Sequence, residues 1–205
     1  MSTVSLPAES RTLFENVRWE TYVALAEDRR GSVPRMTYDC GAMELMRPSK
    51  RHETIKTLMG RLVVAYAEAK EIDIDSVAST TFQRHDLSRG FEADESFYIE
   101  HAALARSKVE LDLSIDPPPD LVVEVEITSS AIQKLELFAA MGIPEVWRHD
   151  GTRLNVFVLQ GDEYEERNES QVLAGFPIAL ADSLVARRME RSEIDLVKEF
   201  RESAA

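Results

Sequence analysis

The residues from Leu121 to Ile127 read Leu-Val-Val-Glu-Val-Glu-Ile, an apolar run broken only by Glu124 and Glu126. Prolines 117–119 stand at its head and stop a helix from running into it. Side chains alternate across a strand, so Leu121, Val123, Val125 and Ile127 share one face, and Glu124 and Glu126 share the other. A carboxylate pair in so apolar a strand is expensive unless something neutralises it, and a divalent cation does so. Taken alone, such a strand reads equally as the wet face of an antiparallel sheet. A second acidic segment upstream favours the metal. Phe91 to Ile99 (Phe-Glu-Ala-Asp-Glu-Ser-Phe-Tyr-Ile) reads as one strand with Asp94, Ser96 and Tyr98 on a common face. The alternative is then a metal site built across the two strands. Ser130 and Gln133 form a capping box, which predicts a helix over 131–141 with Lys134 in its first turns and Ile132, Leu135, Phe138 and Ala139 buried.

The elements that must position these groups follow from the rest of the chain. Residues 1–13 read as a loose start. Asn16 is placed to cap a helix to about Arg29, with Trp19, Tyr22, Val23 and Ala26 at helical spacing and Gly31 as its stop. Arg35–Tyr38 and Ala42–Arg47 predict a hairpin turning at Asp39-Cys40-Gly41. Ser49 opens a helix to about Glu71 whose buried stripe (Ile55, Leu58, Met59, Leu62, Tyr66) takes His52 onto the same side. Glu53 lies in the first turn, where the helix dipole favours a carboxylate whether or not it serves a site. A strand over 72–84 with a break near Asp75, a polar excursion over 101–114 and a strand at 145–149 follow. Asp150-Gly151 then predicts a hairpin into 153–159, with 163–166 beyond it. A charged helix over 183–201 reads as a tail. The order predicts an α/β (α+β) chain: a mixed β-sheet flanked by helices, with an extra N-terminal helix and hairpin, in one domain over 1–205 with its core at about 16–182.

Composition narrows the function classes. At 205 residues and net charge −13, the chain is no general nucleic-acid binder, because phosphate neutralisation by Lys and Arg dominates such affinity. A local basic patch remains: Arg47, Lys50, Arg51, His52, Lys56 and Arg61, which reads equally as a solvated face. The lone Cys40 permits neither an internal disulfide nor a cysteine zinc cluster. No basic head precedes an apolar segment and no run reaches membrane-spanning length, which reads as a cytoplasmic protein.

As an ordered set, these residues carry a resemblance. They are Pro48-Ser49 through His52-Glu53, Ser79-Thr80-Thr81-Phe82, Arg89 to Ile99, Pro119 to Val125, Ser129-Ser130, Lys134 and Gly142-Ile143-Pro144-Glu145-Val146-Trp147. Over about 16–182 the chain resembles the Uma-type family of restriction-endonuclease-like proteins, within the PD-(D/E)XK nuclease superfamily. The resemblance implies a core of helix, three strands, helix and strand, and a metal-dependent endonuclease acting on DNA. It implies Asp94 and Glu124 as ligands of Mg2+ or Mn2+, and oxygen-seeking magnesium admits the Val125 carbonyl as a third. The superfamily lysine usually stands two residues after the glutamate. Glu126 occupies that position here, and the lysine of this family is displaced to the next helix, at Lys134. Glu126 then holds a second metal or salt-bridges Lys134. Glu53 and His52 touch the edge of the site, and the basic cluster from Arg47 through Lys56 holds the nucleic-acid backbone. A two-strand cut points to a homodimer. The swap at Glu126 and the acidic balance favour a rival, a nuclease-fold binding module that cuts nothing. A third reading is a metal hydrolase with no polynucleotide substrate.

Overall fold

The computed structural model describes residues 9–29 and 33–204. In chain order its elements are β1 (Glu9–Phe14), α1 (Trp19–Arg29), β2 (Arg35–Asp39), β3 (Ala42–Pro48), α2 (Lys50–Lys70), β4 (Asp75–Ser76), β5 (Thr81–Arg84), β6 (Arg89–Glu92), β7 (Glu95–Tyr98), α3 (Ala102–Arg106), β8 (Leu121–Val125), α4 (Lys134–Ala140), β9 (Glu145–His149), β10 (Leu154–Gln160), β11 (Glu163–Arg167), α5 (Ile178–Ala186) and α6 (Glu193–Ala204).

The strand around Glu124 is apolar because it is covered on both faces. β8 is buried at every residue and runs inside a six-stranded sheet ordered β11-β10-β9-β8-β7-β4. It pairs antiparallel with β7 and parallel with β9, the pair that needs the crossover through α4. Leu121, Val123 and Val125 pack with Leu58, Leu62, Trp147, Phe176 and Phe200, placing α2, α5 and α6 over one face. Val122 packs with Leu137 and Phe138 of α4 and with Phe82 and Phe91 on the other. Ser49 starts α2, its Oγ accepting from His52 N at 3.1 Å. The mixed sheet flanked by helices is thus present.

Several elements differ from the sequence expectation. The hairpin β2–β3 builds a separate five-stranded sheet, ordered β1-β3-β2-β6-β5. Of the expected loose start, residues 9–13 lie in β1, which pairs with β3 from Glu9↔Pro48 to Phe14↔Met43; residues 1–8 lie outside the described residues, as does Gly31. Asn16 takes a left-handed φ of 57° in the turn before α1 and lies outside the helix. The segment 91–99 is two strands: β6 ends in one sheet and β7 begins in the other, with Ala93 and Asp94 making the crossing. The tail is two helices separated at 187–192, and it is not decoration. Leu196, Val197 and Phe200, spaced along one face of α6, are buried in the core against α2.

Candidate active site

Asp94 sits where the chain passes between the sheets, and that crossing is held by side chains instead of ladder bonds. Arg35 of β2 donates from Nη1 to the Ala93 carbonyl at 2.9 Å and pairs with Asp94 Oδ1. Val125 N donates to Asp94 Oδ2 at 2.7 Å, and His52 Nε2 lies 2.9 Å from Oδ1. Because Glu95 is in register with Val123, Asp94 comes alongside Glu124 at the same end of the β7–β8 pair. Lys134, the first residue of α4, turns inward and pairs with Glu124 Oε2. Glu124 Oε1 is buried with no hydrogen-bond partner among the described residues.

Burial sets the electrostatics. Asp94 is 1% exposed and Glu124 2%. Burial alone would raise both carboxyls; on Asp94 it is outweighed by the hydrogen bond and charge of His52 and by the charges of Arg35 and Lys134, so that carboxyl titrates below its ordinary range. On Glu124 burial prevails over the attraction of Lys134, and the charge of Asp94 adds to it, so its carboxyl is raised. Burial lowers Lys134, but Glu124 and Asp94 more than compensate and hold it protonated. His52 is fully buried between Asp94 and Glu9, whose Oε1 lies 2.7 Å from Nδ1. Burial opposes its charge, yet hydrogen bonds to both acids push its pKa up to about 9. Both ring nitrogens therefore donate.

Glu9 gives the site a part that the sequence reading missed. Its Oε2 accepts from Thr128 N at 3.1 Å and Thr128 Oγ1 at 2.6 Å, and its pKa falls to about 2 as the His52 and Thr128 hydrogen bonds outweigh burial. Glu44 of β3 accepts from Ser130 Oγ at 2.9 Å and Ala131 N at 2.8 Å, and Arg11 of β1 bridges Glu44 at 2.6 Å and Glu9 at 3.1 Å. Two carboxylates of the five-stranded sheet thus clasp the loop after β8. That clasp overturns the capping box: α4 begins at Lys134, Gln133 makes no side-chain cap, and the Ser130 hydroxyl is committed to Glu44 and Ile132 N. Nothing local marks Glu9, Arg11, Arg35 or Glu44; their partners lie up to 119 residues away.

The other expected residues scatter. Glu126 follows the end of β8 and accepts from Ser130 N at 3.1 Å, whereas the ion pair of Lys134 is with Glu124, so the expected Glu126–Lys134 bridge gives way to that closer acid. Glu53 is on the rim, its side chain 41% exposed, 3.3 Å from Arg35 and 3.7 Å from Lys56. His52 leaves the expected nucleic-acid surface altogether, because two buried carboxylates draw it inward. Arg47, Lys50 and Arg51 are exposed, and Lys56 reaches Glu95 as well as Glu53.

A hard divalent cation fits the donor set. Asp94 and Glu124 are oxygen donors side by side, and the unpartnered Glu124 Oε1 is a buried acceptor that a cation would satisfy. A second group of potential ligands, Glu100, His101 and Asp120, gathers at the far end of β7–β8. There Asp120 Oδ2 already accepts from Ile99 N at 2.6 Å and Glu100 N at 3.0 Å.

The six-stranded sheet with one parallel pair, covered by α2 on one face and α4 on the other, defines a restriction-endonuclease-like protein. The chain belongs to the Uma2 family, described as putative restriction endonuclease, whose pattern it matches over residues 19–182. It is also similar in fold to the crystal structure of a putative nuclease belonging to DUF820 from Anabaena variabilis, with a TM-score of 0.53 at 17% identity over 90% of this chain and 99% of that one. No curated protein matches. No helix among the described residues is long and apolar enough to cross a membrane.

Proposed function

We propose that this chain is a metal-dependent endonuclease that hydrolyses phosphodiester bonds in DNA at Asp94, Glu124 and Lys134. The observation carrying this reading is the buried, unpartnered Oε1 of Glu124 beside Asp94, with a lysine already directed at the same carboxylate. Mg2+ or Mn2+ would be held by these two acids with the Val125 carbonyl, and when bound it supplies Lewis acidity and positive charge for the phosphate. The protein's own groups do the rest. Lys134, kept protonated by its acidic neighbours, offsets charge on the phosphoryl oxygens and orients the attacking water. Arg35, its side chain 12% exposed, lies between the buried Asp94 and the rim residue Glu53 and would meet the phosphate there. His52 and Glu9 fix Asp94 from behind, as positioning residues that do not touch substrate. Glu53 stands at the entrance, and Arg47, Lys50 and Arg51 supply backbone contacts outside it. Cutting both strands calls for two such sites, hence two copies of the chain.

A second reading has an observation of its own. Asp94, Glu124, Glu9 and Glu44 are already met by Arg11, Arg35, His52 and Lys134. A site neutralised this fully suits a nuclease fold that binds without cutting. Supercoiled plasmid incubated with the purified protein and Mg2+ or Mn2+, beside the Asp94→Ala/Glu124→Ala variant, separates the two. Nicking by the parent alone supports the enzyme. Equal nicking by both, or none by either, sinks it.

A further inference from the structure

Arg51 and His52 are consecutive in the first turn of α2 and go opposite ways. His52 turns in to Asp94, while Arg51 lines a cavity of about 250 Å³ between α2, the loop after β9 and the end of α5. His149, the last residue of β9, is on its wall and 2% exposed. Gly151 N donates to His149 Nδ1 at 3.0 Å, which leaves the neutral ring's proton on Nε2. That Nε2 is buried without a hydrogen-bond partner among the described residues. Asp182 Oδ1, at 4.0 Å, is beyond hydrogen-bond reach and already accepts from Leu154 N at 2.8 Å. Burial lowers the His149 pKa against the pull of Asp182 and Asp150, so the ring is an uncharged donor.

Arg188, which also lines the cavity, carries a second orphan. Arg188 Nε is buried and unpartnered, although its Nη2 is held by Glu193 at 3.1 Å. Arg51 closes the set, anchored by Nη2 on the Gly151 carbonyl at 2.5 Å. A buried donor left unsatisfied is costly, so two among the residues lining one cavity mark a place suited to an acceptor. Its volume is below the roughly 300–1,000 Å³ of sites for drug-sized ligands, which suits a small oxyanion. The guanidiniums of Arg51 and Arg188 are set against Asp182, Asp150 and Glu193, so the cavity offers hydrogen-bond donors and not an excess of positive charge.

We infer that this cavity binds a phosphoryl group, held by His149 Nε2–H, Arg188 Nε–H and the Arg51 guanidinium. Three donors from three elements suit a tetrahedral oxyanion, with oxygens for each, better than a planar carboxylate. The group comes either as free or terminal phosphate, or as a backbone phosphodiester flanking the cut. The inference stands whether or not Asp94 and Glu124 support hydrolysis.

The test is a titration of the ¹⁵N-histidine-labelled full chain in EDTA at pH 7, following the His149 ring nitrogens after assignment with His149→Gln. Inorganic phosphate should shift Nε2 saturably in the millimolar range, with acetate at least tenfold weaker. Arg51→Gln, at an exposed position, should raise the half-saturation about fivefold; Arg188→Gln, checked for an unchanged melting curve, should do the same. Separate arms with a 5′-phosphorylated and an unphosphorylated single-stranded oligonucleotide tell terminal phosphate from backbone: a shift with either supports the site and names its source. No saturable shift with any of them, acetate binding as tightly as phosphate, or half-saturation unchanged in both arginine variants overturns it. Because metal is chelated throughout, the result is independent of the plasmid assay.

Discussion

The pair β7–β8 carries acids at both of its ends, and the two groups have opposite fates. At one end Asp120, with Glu100 and His101 within ligand distance, spends its carboxylate on the backbone N–H groups of Ile99 and Glu100. At the other, Asp94 and Glu124 are ringed by Arg35, His52 and Lys134, and one oxygen of Glu124 still has no donor. The first group is closer to a metal-ligand pattern by distance alone. Yet one oxygen of its central acid, Asp120 Oδ2, already does structural duty, ordering the turn after β7. The proposed site thus rests on an acceptor left buried and unmet, and the other group on proximity alone.

Substitutions can break this contrast. The largest effect is expected from Asp94→Ala or Glu124→Ala, which should lower plasmid cleavage at least about 10³-fold, roughly 4 kcal/mol in the barrier. Asp120→Ala should leave the cleavage rate within about threefold, and a loss as large as that of Asp94→Ala would reverse the assignment of the two clusters. The same Asp120→Ala should instead cost stability: losing a charged acceptor of backbone N–H groups costs about 2–3 kcal/mol, or about 4–12 °C in melting temperature for a chain of this size. Glu124→Gln should abolish any rise in melting temperature on adding Mn2+, whereas Asp120→Asn should preserve it.

The acid pair should also leave its mark on pH dependence. His52 is raised from 6.5 to about 9 in the folded chain, so the stability it confers is complete below pH 6.5 and lost as pH climbs through 9. The full span is about 3 kcal/mol, readable as a falling urea midpoint between pH 6.5 and 9 that His52→Gln should flatten. Glu9, lowered from 4.5 to about 2, acts in the other direction: its contribution is present above pH 4.5 and disappears as pH falls through 2. The smallest effect is expected at Glu126→Ala, which removes one acceptor for Ser130 N and should change stability by about 1 kcal/mol or less and cleavage by less than threefold.

What the sequence disclosed about this centre follows from the range of each interaction. β8, α2 and the β2–β3 hairpin announce themselves through periodicity and punctuation within a few residues. Asp94, Glu124 and Lys134 stood out through an ordered motif set. The break at Ala93-Asp94 did not, because no glycine or proline marks it. Its cause is Arg35, 58 residues upstream, taking the Ala93 carbonyl. Ser130-x-x-Gln133 satisfied a local capping rule and was overruled by Glu44, 86 residues away. Glu9 and Arg11 lie in an edge strand whose alternation is too weak to signal anything. Local grammar exposes the scaffold; the charges that clamp it are visible only after folding.

The reach from Glu9 to Thr128, 119 residues along the chain, bears on how this protein is born. Ribosomal synthesis at about 5–20 residues per second separates the two by on the order of ten seconds. Until Thr128 emerges, the Glu9 carboxylate of β1 has its imidazole and no loop to hold. The joining of the two sheets through Glu9 is thereby a late event of biogenesis, and a truncation before that loop would also remove Trp147, Phe176 and Phe200 from the core that covers the long helix.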